Sequence, residues 1–151
     1  MAPRFETGRP LLIAGFSQRY SAATRSSIPE QWQRFAPHIG RVPGQIGRTS
    51  YGVLSNTDTA GNTDYLCGVE VVDASRLPAD FTTLRIPDHR YAVFPHRDHI
   101  SRLRDTWTAI FQWLPGSGYQ MAPAPSFELY DDRYDPATGT GLCEIWIPVI
   151  G

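Results

Sequence analysis

The last apolar segment of the chain contains a carboxylate beside an aromatic residue. Glu144 and Trp146 lie within Leu142–Val149. Because side chains alternate between the two faces of a β-strand, these two residues would share one face, and the opposite face would be wholly apolar. An unpaired carboxylate among aromatic rings is costly to bury. A ligand cation would relieve that cost, and cation–π attraction would add about 0.5–2 kcal/mol.

The same surroundings could raise the pKa of Glu144 and make it a general base. A third interpretation is an ordinary glutamate on a solvated sheet face. The residues alone leave these alternatives open. Glu144 is therefore a candidate ligand-binding residue, and it is a candidate catalytic residue only if the protein is a hydrolase.

An earlier segment, Tyr65–Val72, shows the same alternation. Its apolar set would leave Gly68 and Glu70 on the face of Glu144, with Gly68 as an open spot. Further candidate ligand-binding residues are aromatic, and for each of them packing in the core or across strands is the alternative. They are Trp32 and Trp107 at helical positions and Tyr51 and Tyr130 on strands.

Other groups that could do chemistry lack a supporting pattern. Cys67 and Cys143 both lie in apolar runs and are expected to be buried thiols. The spacing of the histidines does not suggest a zinc site. The glycines of Gly116–Gly118 follow a helix, which is the wrong order for a phosphate loop. The sequence therefore predicts no metal and no cofactor.

Eight segments would position these residues. Six are strand-like and two are helical, and each helix has candidate capping residues at its start. The first helix would begin at Ser27 with Glu30 completing a capping box, and the second would begin at Asp98 or Ser101. The predicted strands are Arg9–Phe16, Tyr51–Leu54, Tyr65–Val72, Tyr91–Phe94, Phe127–Tyr130 and Leu142–Val149, and Asp73–Asp88 would be a connector.

The two halves of the chain are alike. Tyr51–Leu54 lies 76 positions before Phe127–Tyr130, and Trp32 lies 75 positions before Trp107. Self-similarity of this kind indicates a duplicated unit. We predict an α+β fold in which tandem strand–helix–strand–strand repeats, about 9–73 and 89–150, form one antiparallel sheet with two main helices. Residues 1–151 would form a single domain.

Composition excludes several classes of protein. The formal net charge is -1, so no basic excess is available to neutralise phosphates. No apolar run approaches the roughly 20 residues of a membrane span, and the first residues do not resemble a signal peptide. We expect a soluble cytoplasmic protein that does not bind nucleic acid directly.

Several segments in order resemble the GyrI-like, or AraC-type effector-binding, domain family. They are Tyr91–Arg97, Ile110–Pro115, Gly118–Tyr119, Phe127–Asp131 and Glu144–Val149, with Tyr65–Val71 resembling the first-repeat strand of that family. The resemblance implies a ligand groove between the repeats. It also implies that Glu144 matches a last-strand glutamate that meets lipophilic cations in multidrug-sensing relatives. Many relatives are fused to a DNA-binding domain, for which this chain has no residues left.

The resemblance leaves two main functions in view, and a third alternative is a role with a protein partner, such as modulation of a DNA-acting enzyme. The first is a standalone module that captures aromatic, lipophilic, cationic compounds in a sensing or sequestering role. The alternative is a hydrolase of strained, cyclopropane-bearing or other electrophilic toxins that uses Glu144. Both functions would depend on a groove built around Glu144.

Overall fold

The computed structural model describes residues 2–151. Eleven strands and two α-helices are present in this range. The strands are β1 (Arg4–Gly8), β2 (Leu11–Tyr20), β3 (Gln45–Ser55), β4 (Thr63–Val71), β5 (Thr82–Ile86), β6 (His89–His96), β7 (Gln120–Met121), β8 (Ser126–Tyr130), β9 (Tyr134–Asp135), β10 (Thr140–Gly141) and β11 (Cys143–Ile150). The helices are α1 (Ile28–Phe35) and α2 (Leu103–Trp113).

One large antiparallel sheet dominates the fold. Its strand order is β1-β6-β11-β8-β3-β4-β2-β5, with β7 extending β11, while β9 and β10 form a separate hairpin. Strands β8 and β3 pair at the centre of the order, and each comes from a different half of the chain. The predicted α+β fold of two strand–helix–strand–strand units is confirmed.

Both helices cover the same face of the sheet. The apolar set of β4, which includes Cys67 and Val69, packs with Trp32 and Phe35 of α1. The matching set of β11 packs with Ile110 and other residues of α2. The alternation predicted for these two strands is confirmed, and burial raises the pKa of both thiols, Cys67 and Cys143, to about 12. These cysteines are therefore unreactive core residues.

The opposite face of the sheet carries a third apolar cluster. Residues of six strands share it, including Ile86 of β5 and Tyr91 of β6, which lie near the two ends of the strand order. A flat sheet of eight strands would be about 34 Å wide at 4.8 Å per strand, so the sheet must curve around this cluster. The two faces therefore differ: one is covered by helices, and the other is enclosed by the sheet itself.

Two edge strands escaped the sequence analysis. β5 lies inside the predicted connector Asp73–Asp88, and β1 precedes the first predicted strand. Each has only five residues, and the apolar alternation of β5 is limited to Leu84 and Ile86 on either side of Arg85. Runs this short do not stand out in the sequence as the central strands do.

The helix starts also differ from the predictions. Ser27 makes no capping hydrogen bond because the chain is already turned as a 3-10 helix over Arg25–Ser27. Before α2, a 3-10 helix over Ile100–Arg102 is capped by His99, whose side chain accepts a hydrogen bond from the amide of Ser101. The α2 helix itself follows with Arg102 at its N-cap and without a side-chain cap. Neither Asp98 nor Ser101 fills that role. No helix within residues 2–151 is long and apolar enough to cross a membrane.

Candidate functional site

The site is centred on two equivalent positions of the duplicated unit. Gly52 of β3 and Glu128 of β8 are 76 residues apart and are direct register partners at the middle of the sheet. A Cβ at position 52 would overlap the hydroxyl of Tyr65 and would lie 2.6 Å from Oε1 of Glu128. Glycine in one repeat thus makes room for the carboxylate of the other.

Three aromatic side chains donate hydrogen bonds to the Glu128 carboxylate, and a fourth donates to one of these three. The Tyr65 hydroxyl donates to Oε1 over 2.7 Å, and the Tyr130 hydroxyl donates to the same oxygen over 3.0 Å. The indole N–H of Trp107 donates to Oε2 over 3.1 Å. The indole N–H of Trp32 in turn donates to the Tyr65 hydroxyl over 2.9 Å. Each helix therefore contributes one tryptophan to a single network.

All of these donors are uncharged, although Glu128 is only 5% exposed. Among residues 2–151, no arginine or histidine lies within ion-pair distance of its carboxylate. Burial raises the pKa of Glu128, and the hydrogen bonds from Tyr65, Trp107 and Tyr130 only partly offset this effect. The carboxylate thus has neutral hydrogen-bond donors and no ion-pair partner among residues 2–151, and the more distant His96 also favours its charged form.

The two phenols beside Glu128 are held in their protonated form. Burial, followed by the negative charge of Glu128, raises the pKa of Tyr65 and of Tyr130 well above the ordinary value. Both hydroxyls therefore remain donors at neutral pH. Together with a carboxylate of raised pKa, they could stabilise a bound cation or take part in proton transfer.

These residues lie at the floor of a groove of about 1660 Å³, here called the central groove. It lies between the two helices over the middle of the sheet. Trp32 and Ile39 line the α1 side, and Trp107 and Phe111 line the α2 side. Its size exceeds the roughly 300–1,000 Å³ of most small-molecule sites, so a bulky aromatic molecule fits.

Three of the sequence-predicted residues meet in this groove. Trp32, Trp107 and Tyr130 all line it, and each belongs to the network around Glu128. The remaining candidates lie on the opposite face of the sheet. They are Glu144, Trp146, Tyr51, Gly68 and Glu70.

Glu144 is on the enclosed face and is already neutralised by the protein. Its side chain forms an ion pair with Arg4 at 2.7 Å and lies 3.6 Å from Arg133. Trp146 donates its indole N–H to Oε1 over 3.1 Å. Burial alone would raise the pKa of Glu144, but the two arginines and Trp146 outweigh it, and the pKa is lowered. Glu144 therefore does not line the central groove, in which Glu128 is the buried carboxylate.

The first-repeat candidates have structural roles on the same enclosed face. Glu70 forms a two-pronged ion pair with Arg9. Gly68 is not an open spot, because a Cβ there would lie 2.5 Å from the carbonyl oxygen of Ala14 in the neighbouring strand. Tyr51 packs edge-on against Phe127, and burial raises its pKa to about 12.

A signal for Glu128 was present in the sequence. Within Phe127–Tyr130, alternation puts Phe127 and Leu129 on one face and Glu128 with Tyr130 on the other. The repeat offset of 76 also makes Gly52 the first-repeat equivalent of Glu128. In the structure the two residues are register partners. Tyr65 gave no such signal, since it stands at the start of an apolar strand, where core packing is the simplest expectation.

Known proteins resemble this chain over almost its whole length. Residues 1–150 match the GyrI-like small molecule binding domain. The transcriptional regulator BrlR of Pseudomonas aeruginosa is 25% identical over 144 residues, which make up 93% of this chain and 53% of BrlR. The chain thus spans about half the length of that relative.

Two solved structures share the fold. SAV2435, whose structure was determined bound to tetraphenylphosphonium, superposes with a TM-score of 0.81 at 20% identity, over 100% of this chain and 95% of that one. An integron cassette protein of Vibrio cholerae superposes with a TM-score of 0.74 at 16% identity, over 99% and 96% of the two chains. The fold, the groove between two repeats and the sequence match agree, and the chain belongs to the family of GyrI-like small molecule binding domains.

Proposed function

We propose that this chain captures lipophilic organic cations in the central groove, with Glu128 as the charge partner. The observation that supports this proposal is a buried carboxylate that has three neutral donors and no ion-pair partner among residues 2–151. A buried carboxylate of this kind is costly unless a positive charge approaches it. A ligand cation would supply that charge, and the indole rings of Trp32 and Trp107 would add cation–π attraction.

Two further points favour a cationic ligand. The groove is broad and lined by aromatic and aliphatic side chains, which suits a bulky apolar molecule. SAV2435, which shares the fold, was found with tetraphenylphosphonium, a lipophilic cation. We infer that this chain acts as a sensing or sequestering module, and that it does not bind duplex DNA by itself because its net charge is -1.

The charge requirement can be tested with two ligands of similar shape. Methyltriphenylphosphonium is a cation, and triphenylphosphine oxide is neutral. Calorimetric titration of the Glu128→Gln variant should show a loss of affinity of about 30-fold or more for the cation, because a buried ion pair is lost. The neutral compound should change less than about threefold, since stacking and shape remain.

Glu144→Gln is the matched comparison, because it removes a carboxylate equally buried but already paired with arginine. It should leave the affinity for both compounds close to that of the wild type. Equal losses for cation and neutral compound in Glu128→Gln, or a cation-selective loss in Glu144→Gln, would contradict the assignment of Glu128.

A hydrolase is the second candidate, and the raised pKa of Glu128 is the observation that favours it. A carboxylate of raised pKa beside protonated phenols can act as a general acid or base. Incubation with a strained, cyclopropane-bearing electrophile separates the two functions by mass spectrometry. Many equivalents of hydrolysed product per protein, lost in Glu128→Gln, would favour the hydrolase, whereas unchanged compound favours the binding module.

A further inference from the structure

Arg25 lies at the end of the central groove near the turn that joins β3 to β4. β3 runs from Gly52, the register partner of Glu128, toward the turn that joins it to β4. Arg25, just before α1, donates from Nη2 to the carbonyl oxygen of Gly61 in that turn over 2.7 Å. The four residues from Gly52 to Asn56 span about 13 Å at 3.3 Å per residue. Arg25 and Glu128 thus line the same groove, with Arg25 toward the turn between β3 and β4.

Arg25 has donors that the protein leaves unused. Its Nε is buried and has no hydrogen-bond partner among residues 2–151. Within the same range its guanidinium forms no ion pair, and its hydrogen bond to Gly61 accounts for Nη2 alone. Buried donors without a partner are rare in folded proteins. A guanidinium has five donors in a planar fork, which suits a carboxylate or another oxygen acceptor.

The surroundings of Arg25 favour an acceptor rather than a second cation. Arg25 lines the groove together with the hydroxyl-bearing residues Ser26 and Thr57. The acidic residues that line the groove besides Glu128 lie toward its other end. Asp131 and Asp132 follow β8, and Asp105 is in the first turn of α2. Just before α2, the amide of Ile100 donates a hydrogen bond to the carbonyl oxygen of Gly139, which lies between β9 and β10. The groove thus has the carboxylate of Glu128 at its centre and Arg25 at the end near the β3–β4 turn, and Arg48 and Arg104 also line it.

We propose that Arg25 forms a second ligand subsite and that the central groove selects zwitterionic aromatic molecules. The cationic part of such a molecule would lie against Glu128, and a carboxylate or comparable oxygen acceptor would accept a hydrogen bond from Nη1 of Arg25, since Nη2 donates to Gly61. This inference rests on the proposed function and adds the ligand class. Arg25 would give the groove a preference for a ligand with a free carboxylate over the corresponding ester.

Rhodamine 110 and rhodamine 123 test this preference. They share a planar cationic ring system, and the first has a free carboxylate where the second has a methyl ester. Fluorescence anisotropy titrations should show tighter binding of rhodamine 110 to the wild type. In Arg25→Gln, the affinity for rhodamine 110 should fall about tenfold, as expected for loss of a hydrogen bond between charged groups. The affinity for rhodamine 123 should fall less than about threefold.

Two controls separate this result from misfolding or a general charge effect. Arg76→Gln removes an exposed arginine that does not line the groove, and it should preserve the preference for rhodamine 110. Arg25→Lys keeps the charge and the stem but removes the planar fork, so it should give an intermediate preference. It also provides the test if circular dichroism shows that Arg25→Gln does not fold.

The failure of this inference is distinguishable from that of the proposed function. Equal losses for both dyes in the Arg25 variants, or an unchanged preference for rhodamine 110, would overturn the Arg25 subsite. In that case methyltriphenylphosphonium would still bind in a manner that depends on Glu128. Absence of binding of that cation to the wild type would overturn the proposed function as well.

Discussion

Glu128 and Glu144 are both nearly inaccessible, at 5% and 2% exposure, but their surroundings are opposite. Glu144, on the enclosed face of the sheet, pairs with Arg4 and approaches Arg133, and its pKa is lowered. Glu128, under the helices, has donors from tyrosine and tryptophan alone, and its pKa is raised. Burial by itself therefore does not identify a binding carboxylate; the charge of its partners does.

The difference has a structural origin in the two faces of the sheet. On the enclosed face, Arg4 of the edge strand β1 and Arg133 of the hairpin region can reach Glu144 from the periphery. On the helix face, the residues nearest Glu128 come from the helices and from central strands, where tryptophan and tyrosine fill the space. The protein thus neutralises one carboxylate with arginines and gives the other only uncharged hydrogen-bond donors.

The largest contrast is expected in stability. Glu144→Gln should lower the free energy of unfolding by about 2 kcal/mol. This loss is smaller than the roughly 3–5 kcal/mol measured when a fully buried ion pair is broken, because Arg4 is half exposed and can be solvated. Glu128→Gln should leave it unchanged or raise it by about 1 kcal/mol, because a costly buried charge is removed and its donors keep an acceptor. Urea denaturation at pH 7 measures both. Destabilisation of equal size in the two variants would remove the distinction between the carboxylates.

The contributions of Glu128 and Glu144 to the free energy of unfolding should depend on pH in opposite directions. The folded-state pKa of Glu128 is raised above its ordinary 4.5, so its contribution favours the folded state at low pH and is lost as pH rises through the raised pKa. The folded-state pKa of Glu144 is lowered, so its contribution is present above pH 4.5 and is lost as pH falls through the lowered pKa.

Stability curves from pH 3 to pH 8 should therefore diverge in opposite directions. Relative to the wild type, Glu128→Gln should gain stability above pH 4.5 and lose that gain below it. Glu144→Gln should be destabilised at neutral pH and approach the wild type in acid. The sign of each difference is the quantity that tests the prediction, because the pKa of Glu128 is raised and that of Glu144 is lowered. Parallel curves would show that neither carboxylate has a shifted pKa.

The sequence was sufficient to predict the strands and helices that position the site. The repeat offset and the alternation in β4 and β11 predicted which strand faces meet the helices, because an antiparallel strand covered on one side by apolar residues leaves a clear period of two. The tryptophans at equivalent helix positions, Trp32 and Trp107, line the central groove, and their role in ligand binding stays a prediction. These predictions depend on local patterns that the fold preserves.

The choice of carboxylate was not predictable in the same way. Glu144 and Glu128 each stand on an apolar strand near aromatic residues, and their sequences do not show which one meets an arginine. Arg4 reaches Glu144 across 140 positions, and that contact arises only when β1 pairs with β6 beside β11. Since β1 was itself not predicted, the partner that neutralises Glu144 could not be foreseen.

The smallest expected effect comes from two tyrosines that the sequence ranked alike. Tyr130→Phe removes the longer of the two phenol bonds to Glu128, 3.0 Å against 2.7 Å from Tyr65. Loss of one hydrogen bond to the ionised carboxylate should raise its pKa further and reduce the affinity for methyltriphenylphosphonium about threefold at pH 7. As pH is lowered, the affinity for this cation should therefore begin to fall at a higher pH in Tyr130→Phe than in the wild type. Tyr51→Phe, on the enclosed face, should change neither quantity, because the Tyr51 ring packs on Phe127 away from the groove. A threefold loss in Tyr51→Phe with none in Tyr130→Phe would place the ligand on the enclosed face, and it would restore Glu144 as the candidate carboxylate.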